Sequence, residues 1–288
     1  VAIVVTRILI LGGTIEARTT AQVLVERPGV RVITSLAGRT DHPIRPAGEL
    51  RIGGFGGADG LRDYLLAERI DRVLDATHPF AARISANARL ACRAAGVPLV
   101  VLTRPRWAPE PSDRWLTAAS PERAAALVAD LPAGTVLLTI GRGSLDAFAP
   151  IDRHRFVIRS VDAPTGPLPA RHEIVLARGP FTLADELELM RARGVDVLVT
   201  KNSGGPAAAA KLDAARTIGA TVVVIDRPTP DPTDADPTDA DPAGTDPTDA
   251  DPAGMDPLAP DVPVAGVVTV TDPREAIDQL LDSATPTP

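Results

Sequence analysis

Along this chain, short unbroken apolar runs alternate with longer stretches in which apolar residues recur at helical spacing. Arg7–Leu11 (RILIL), Val30–Thr34, Leu50–Ile52, Arg72–Asp75 and Leu99–Leu102 have the length and continuity of strands buried on both faces. Helix-compatible segments separate them: Ile15–Glu26, a stretch after Gly53–Gly57 that runs through Leu66, and the alanine-rich Phe80–Ala95, closed by Gly96-Val97-Pro98. Pro79 reads as the residue that starts this last helix. Alternation of this kind predicts a parallel sheet flanked by helices.

Arg104–Asp113 (RPRWAPEPSD) holds too many prolines for a regular element and reads as an irregular connection. A second series follows, with strands at Thr135–Ile140, Arg155–Val161, Glu173–Leu176, Val195–Thr200 and Thr221–Ile225. Its strongest helices are Thr182–Arg193 and Pro206–Thr217. The fold class expected is α/β, with two doubly wound parallel-sheet domains facing a cleft. Residues 1–104 form the first domain, 105–134 connect and begin the second, and 135–228 complete it. Residues 229–261 repeat TDADP and DPAG-like units, a composition that cannot offset its ordering entropy, so a disordered insertion is expected there. A calcium-binding role is the sharper alternative, but the repeat lacks the glycine and bidentate glutamate of a calcium loop. Residues 262–284 return as a strand (Val264–Val270) and a helix (Pro273–Leu281), so the insertion interrupts a sheet.

A length of 288 residues suits two domains, and cores built from a 44% hydrophobic but only 3% aromatic composition rest on Val, Leu, Ile and Ala. Cys92 is the single cysteine, which excludes an intrachain disulfide and fits a reducing, cytoplasmic setting. It reads as a small buried hydrophobe. Val1–Leu11 has no basic lead-in and no cleavage-like site, so it reads as the approach to a strand and not a signal peptide. No apolar run reaches membrane-spanning length. The formal charge of −7 misleads, because ten of the 37 acidic residues lie in 229–261. The remainder sets 27 acids against 30 bases, a mildly basic body of about +3.

Candidate chemistry lies at strand ends, where open α/β sheets bind ligands. Gly12-Gly13-Thr14 sits at the first strand-to-helix turn, where glycines admit a phosphate and Thr14 can cap the helix. A tight turn without ligand would carry the same residues. Arg39, in Ser35-Leu36-Ala37-Gly38-Arg39, ends the second strand where an acid would favour NAD and an arginine favours the 2′-phosphate of NADP. The glycine-dense Gly53–Gly57 either admits a ligand or is a mobile loop. Asp75-Ala76-Thr77-His78-Pro79-Phe80-Ala81 follows the fourth strand. His78 is structural, carboxylate-binding or proton-donating; metal ligation is least favoured, since His42, His154 and His172 lack ligand spacing to it. In the second half, Arg142 and Lys201-Asn202-Ser203 follow strands and Arg159 lies near the end of another. Cations at several strand ends suit a multiply anionic substrate, with some pairing to acids of the protein instead.

The segments ILGGTIEAR (10–18), GGFGG (53–57), DATHPFA (75–81), LTIGRGSL (138–145), ARGPF (177–181) and LVTKNSGG (198–205) with Lys211 together resemble the precorrin-6A reductase family, in order across residues 7–228. The resemblance does not extend to the Asp/Pro repeat. It implies two Rossmann-like domains, an NADPH-binding one first and a tetrapyrrole-binding one second, with terminal strands exchanged between the sheets. It implies an NADPH-dependent oxidoreductase acting on a CH–CH group in cobalamin biosynthesis, converting precorrin-6A to precorrin-6B by hydride addition at C19 and protonation at C18. Under it the cofactor residues are Gly12, Gly13, Thr14, Glu16, Ser35, Gly38, Arg39 and Thr77. The substrate residues are His78, Arg142, Arg159, Lys201 and Ser203, with His78 the candidate proton donor and solvent its rival. No metal, nucleic acid or membrane is expected, and neighbouring pathway enzymes are the protein partners brought into view. A two-domain nucleotide-sugar transferase and a non-catalytic nucleotide- or tetrapyrrole-binding protein are the competing readings.

Overall fold

The computed structural model describes residues 5–38, 43–228 and 266–282. The expected insertion at 229–261 lies outside them, as do Arg39 and His42. The chain forms two compact units: one runs up to Thr103 and includes the C-terminal strand and helix, and the other begins at Arg104.

The first unit holds β1 (Thr6–Leu11), β2 (Val30–Leu36), β3 (Glu49–Ile52), β4 (Arg72–Asp75), β5 (Leu99–Leu102) and β12 (Val267–Val270). They form one parallel sheet in the order β12-β5-β4-β1-β2-β3. Its strands alternate between faces, which is why both faces are apolar. Ile8, Ile10, Val32 and Leu74 pack against α1 (Ile15–Val25) and α7 (Pro273–Leu281). Leu9, Leu11, Ile33, Val73 and Leu99 pack on the other side against α2 (Gly57–Ala67) and α3 (Ala82–Ala95). Cys92 of α3 is buried there, and that burial pushes its thiol up to about 12.

In the second unit the strands are β6 (Arg114–Ala118), β7 (Thr135–Thr139), β8 (Arg155–Ser160), β9 (His172–Leu176), β10 (Val195–Lys201) and β11 (Thr221–Ile225). They too are all parallel, in the order β6-β11-β10-β7-β8-β9. Leu137, Val157, Leu198, Val222 and Val224 are buried with Met190 of α5 (Leu183–Arg193) and Leu212 and Ala215 of α6 (Ala210–Ile218).

Each sheet has the order 3-2-1-4-5-6 of a doubly wound nucleotide-binding fold when its strands are counted in place. The sixth places are exchanged. β6, which follows β5 in the chain, joins the second sheet beside β11, and β12 returns to fill the place beside β5.

Three local expectations change. β6 is a strand that the apolar pattern does not announce, because its five residues are mostly part-exposed and their strand state comes from pairing with β11. α3 starts at Ala82, two residues beyond Phe80: Pro79 lies in a turn closed by Ala81 N donating to the His78 carbonyl at 2.7 Å. Pro206 opens a 3-10 turn, Pro206–Ala208, and the α-helix begins only at Ala210. A further helix, α4 (Pro121–Asp130), is capped by Ser120, whose Oγ accepts from Arg123 N.

Candidate functional site

In the first unit the sheet reverses its order of addition between β1 and β4, and the turns after these two strands lie side by side. Gly12 N donates to the Ser35 carbonyl and Ala76 N to the Leu11 carbonyl, each at 3.0 Å. A Cβ on Gly12 would come within 2.9 Å of Thr34 Cγ2, so a side chain at that position would push Thr34 aside. Gly13 has φ +111° and open space around it, so the backbone there is accessible to a ligand. Thr14 is the N-cap of α1: its Oγ1 accepts from Ala17 N at 3.1 Å and donates to the Ala76 carbonyl at 2.7 Å. The hydroxyl proton is spent on Ala76 and the side chain is buried, so it is the main chain of Thr14 that can donate to a cofactor. Glu16 lies half-buried in the first turn of α1.

Ser35 is buried near the end of β2, opposite Arg51 of β3. Gly38 takes φ +77°, a left-handed position suited to glycine. Arg51 carries no signal in the sequence as a site residue, yet it organises this corner. Its Nη1 donates to the Gly53 carbonyl at 2.6 Å and to Ser35 Oγ at 3.4 Å, and its Nη2 to the Gly54 carbonyl at 2.6 Å. The guanidinium carbon lies 3.7 Å from the Phe55 ring centroid and 5.1 Å from that of Tyr64. The Gly53–Gly57 cluster is thereby tied to the ends of β2 and β3.

After β4, the buried Asp75 accepts from both Thr77 N (3.1 Å) and Thr77 Oγ1 (2.7 Å), and Thr77 Oγ1 lies 3.3 Å from Ser85 Oγ. With its proton directed to Asp75, the Thr77 oxygen presents lone pairs, which suits it to accept a hydrogen bond from an amide. His78 is exposed, and its Nδ1 accepts from Phe80 N at 3.2 Å. In the neutral ring this places the proton on Nε2.

In the second unit, the exposed Arg142 opens a 3-10 turn, Arg142–Ser144, after β7; Ser144 is buried, and Gly141 before the turn takes φ +79°. Arg159 of β8 is committed: both Nη groups meet Glu186 of α5, at 2.8 and 2.9 Å, and its side chain is 8% exposed against 3% for Glu186. Phe181 covers this pair, its ring centroid 4.1 Å from the guanidinium carbon. The expectation that some cations pair with acids of the protein holds at this residue.

Lys201 ends β10, followed by the buried Asn202 and Ser203. Asn202 Oδ1 accepts from Trp107 N at 2.9 Å and its Nδ2 donates to the Trp107 carbonyl at 3.2 Å. Arg227 Nε donates to the Asn202 carbonyl, and Trp107 Nε1 to that of Gly205. A Cβ on Gly204 would stand 2.3 Å from the Pro105 carbonyl oxygen. The glycines of this loop therefore answer to close chain packing, a role that a list of ligand-binding glycines does not anticipate. Lys211, in the first turn of α6, is 7% exposed, with Nζ 5.3 Å from the Trp107 ring centroid. Burial and the nearby Arg159 charge lower its pKa to about 8, against the opposing pull of Glu186. It stands outside the strand ends, where the search for cations is natural, and only its place in the family pattern marks it.

Among the described residues no group of three or more His, Cys, Asp or Glu is placed to hold a metal ion. No described helix is long and apolar enough to cross a membrane.

Comparison with known proteins narrows the chemistry. The family described as precorrin-6x reductase CbiJ/CobK matches residues 7–243. A precorrin-6A reductase of Rhodococcus erythropolis is 54% identical over 224 residues, 77% of this chain and 90% of that protein. One from Mycobacterium tuberculosis (strain ATCC 25618 / H37Rv) is 50% identical over 224 residues, 77% of this chain and 89% of its own length. A solved structure of CobK precorrin-6A reductase superposes with a TM-score of 0.73 at 44% identity, covering 78% of this chain and 89% of that one. Two six-stranded parallel sheets, glycine turns at the switch point and a match of this extent lead to one conclusion: the chain belongs to the precorrin-6x reductase family.

Proposed function

We propose that this protein reduces precorrin-6A to precorrin-6B in cobalamin biosynthesis, with NADPH as reductant. The observation that carries the reading is the match, over 77% of this chain and about nine-tenths of the relatives' own length, to proteins named precorrin-6A reductase at 54% and 50% identity. The first unit fits a dinucleotide: Gly13 is open, with φ +111°, and the N-terminus of α1 supplies N–H donors for a pyrophosphate. Bound NADPH would supply the hydride that adds at C19, while a proton adds at C18.

The chain's own residues orient and neutralise. Thr77, steered by Asp75, accepts from the nicotinamide amide, and Ser35, Gly38 and Arg39 address the adenosine end. Arg142, Lys201, Ser203 and Lys211 address the carboxylates of the tetrapyrrole, where charge-assisted hydrogen bonds fix orientation. His78, whose Nδ1 accepts from Phe80 N, carries its proton on Nε2 in the neutral ring and is the candidate donor to C18, with solvent its rival. Positioning of this kind supplies most of the acceleration when the cofactor carries the chemistry. The single cysteine suits a cytoplasmic setting.

The test is anaerobic incubation with NADPH and precorrin-6A. Loss of NADPH absorbance together with a product heavier by two hydrogens is expected. Binding of both without turnover would favour a non-catalytic binding protein, and failure to bind the tetrapyrrole would favour a two-domain nucleotide-sugar transferase.

A further inference from the structure

We propose that Arg51 is a specificity-determining residue for the adenosine 2′-phosphate of the dinucleotide, a role that rests on the NADPH reading above. Its position follows from strand register. Arg51 pairs with Ser35 across β2 and β3, and its guanidinium reaches back to Ser35 Oγ. It therefore lies over the carboxyl end of β2, the place where dinucleotide folds handle the adenosine ribose.

Its hydrogen-bond partners distinguish it from Arg7, Arg31 and Arg62. In the same unit Arg7 pairs with Glu68, Arg31 with Glu49, and Arg62 with Asp59 and Asp63. Among the described residues Arg51 donates to Ser35, Gly53 and Gly54, and none of these is a carboxylate. A part-buried guanidinium resting on two aromatic rings thus has no acidic counterion among the described residues. Burial lowers its pKa, yet arginine remains charged at neutral pH.

The fork retains unused capacity. Of the five N–H groups of a guanidinium, Nη1 supplies two to these bonds and Nη2 one, which leaves the Nε hydrogen and the second Nη2 hydrogen. Those two share an edge when Gly54 takes the Nη2 hydrogen on the Nη1 side, and that edge is the one that meets two oxygens of a phosphate. A 2′-phosphate would supply the missing anion; the 2′-hydroxyl of NADH would not. The same contacts make Arg51 a staple of the Gly53–Gly57 loop, so loop support and phosphate selection must be separated by experiment.

The experiment is equilibrium binding of NADPH and NADH to the full chain and to Arg51→Met and Arg51→Lys, with melting temperatures recorded for each. Wild-type protein is expected to prefer NADPH. Arg51→Met is expected to weaken NADPH at least about tenfold and NADH less than about twofold, the scale of one lost charge-assisted contact. Arg51→Lys, which keeps the charge but not the fork, is expected to lose a smaller, still NADPH-selective, factor. Equal losses for both nucleotides would overturn the role and leave a loop staple. Should Arg51→Met not fold, Arg51→Lys decides by the same criterion. A wild-type protein that binds both nucleotides equally would overturn the NADPH reading itself, and this proposal with it.

Discussion

The Thr14 hydroxyl donates to the Ala76 carbonyl at 2.7 Å, joining the turn after the first strand to the turn after the fourth. One buried side chain thus caps α1 and holds together the two loops at the point where the sheet changes direction. Thr14→Val should remove both bonds and lower stability by about 1–2 kcal/mol, read from urea denaturation. Thr14→Ser should restore most of the loss, because it keeps the oxygen.

Among the described residues Glu186 is the sole carboxylate bonded to Arg159, and it also offsets the charge of Lys211. Glu186→Gln should therefore cost about 3 kcal/mol of stability, the scale seen when one partner of a buried pair is neutralised. The same change should lower the Lys211 pKa further, a direction that NMR titration of its side chain would follow.

Lys211 gives a pH dependence with a definite sign. Its pKa is lowered from 10.5 in the free residue to about 8 in the fold. Between these values the unfolded chain holds the extra proton, so stability rises with pH across that window. Below about pH 8 both states are protonated and the buried charge is a standing cost. Lys211→Met should flatten the rise in a series of denaturation midpoints. Affinity for a polycarboxylate should fall over the same range as pH climbs through about 8, in the wild type only.

Gly204→Ala should be severe, since the position has φ +67° and a Cβ would strike the Pro105 carbonyl oxygen. A loss of more than about 2 kcal/mol is expected from overpacking and left-handed strain together. Release of the Trp107–Asn202 contacts should accompany it, visible as a shift in tryptophan emission.

Much of the fold is legible because strands buried on both faces leave unbroken apolar runs. Ile8–Leu11, Val73–Leu74 and Leu198–Val199 announce themselves for that reason. β6 does not, because Trp115 and Leu116 are only part-buried and their order is conferred by β11. The glycine turns are readable as turns, but sequence does not tell an opening for a ligand from a tight chain crossing. Gly13 and Gly204 look alike in the sequence and differ in what surrounds them. Arg159 reads as an available cation until Glu186, 27 residues on, is seen to occupy it. Arg51 is invisible for the complementary reason: its meaning depends on the register between β2 and β3 and on rings from the following loop and helix.

The exchange of sixth strands also sets a timetable for synthesis. All six strands of the second sheet lie between Arg114 and Ile225, so that sheet has its full complement of strands once β11 has been translated. The first sheet cannot finish then. Until Val267–Val270 emerges, β5 is a bare edge, and the bed for Ile277 and Leu280 stays uncovered. The unit that starts first is therefore completed last, and during that interval the nascent chain depends on its N-terminal third holding together with five strands.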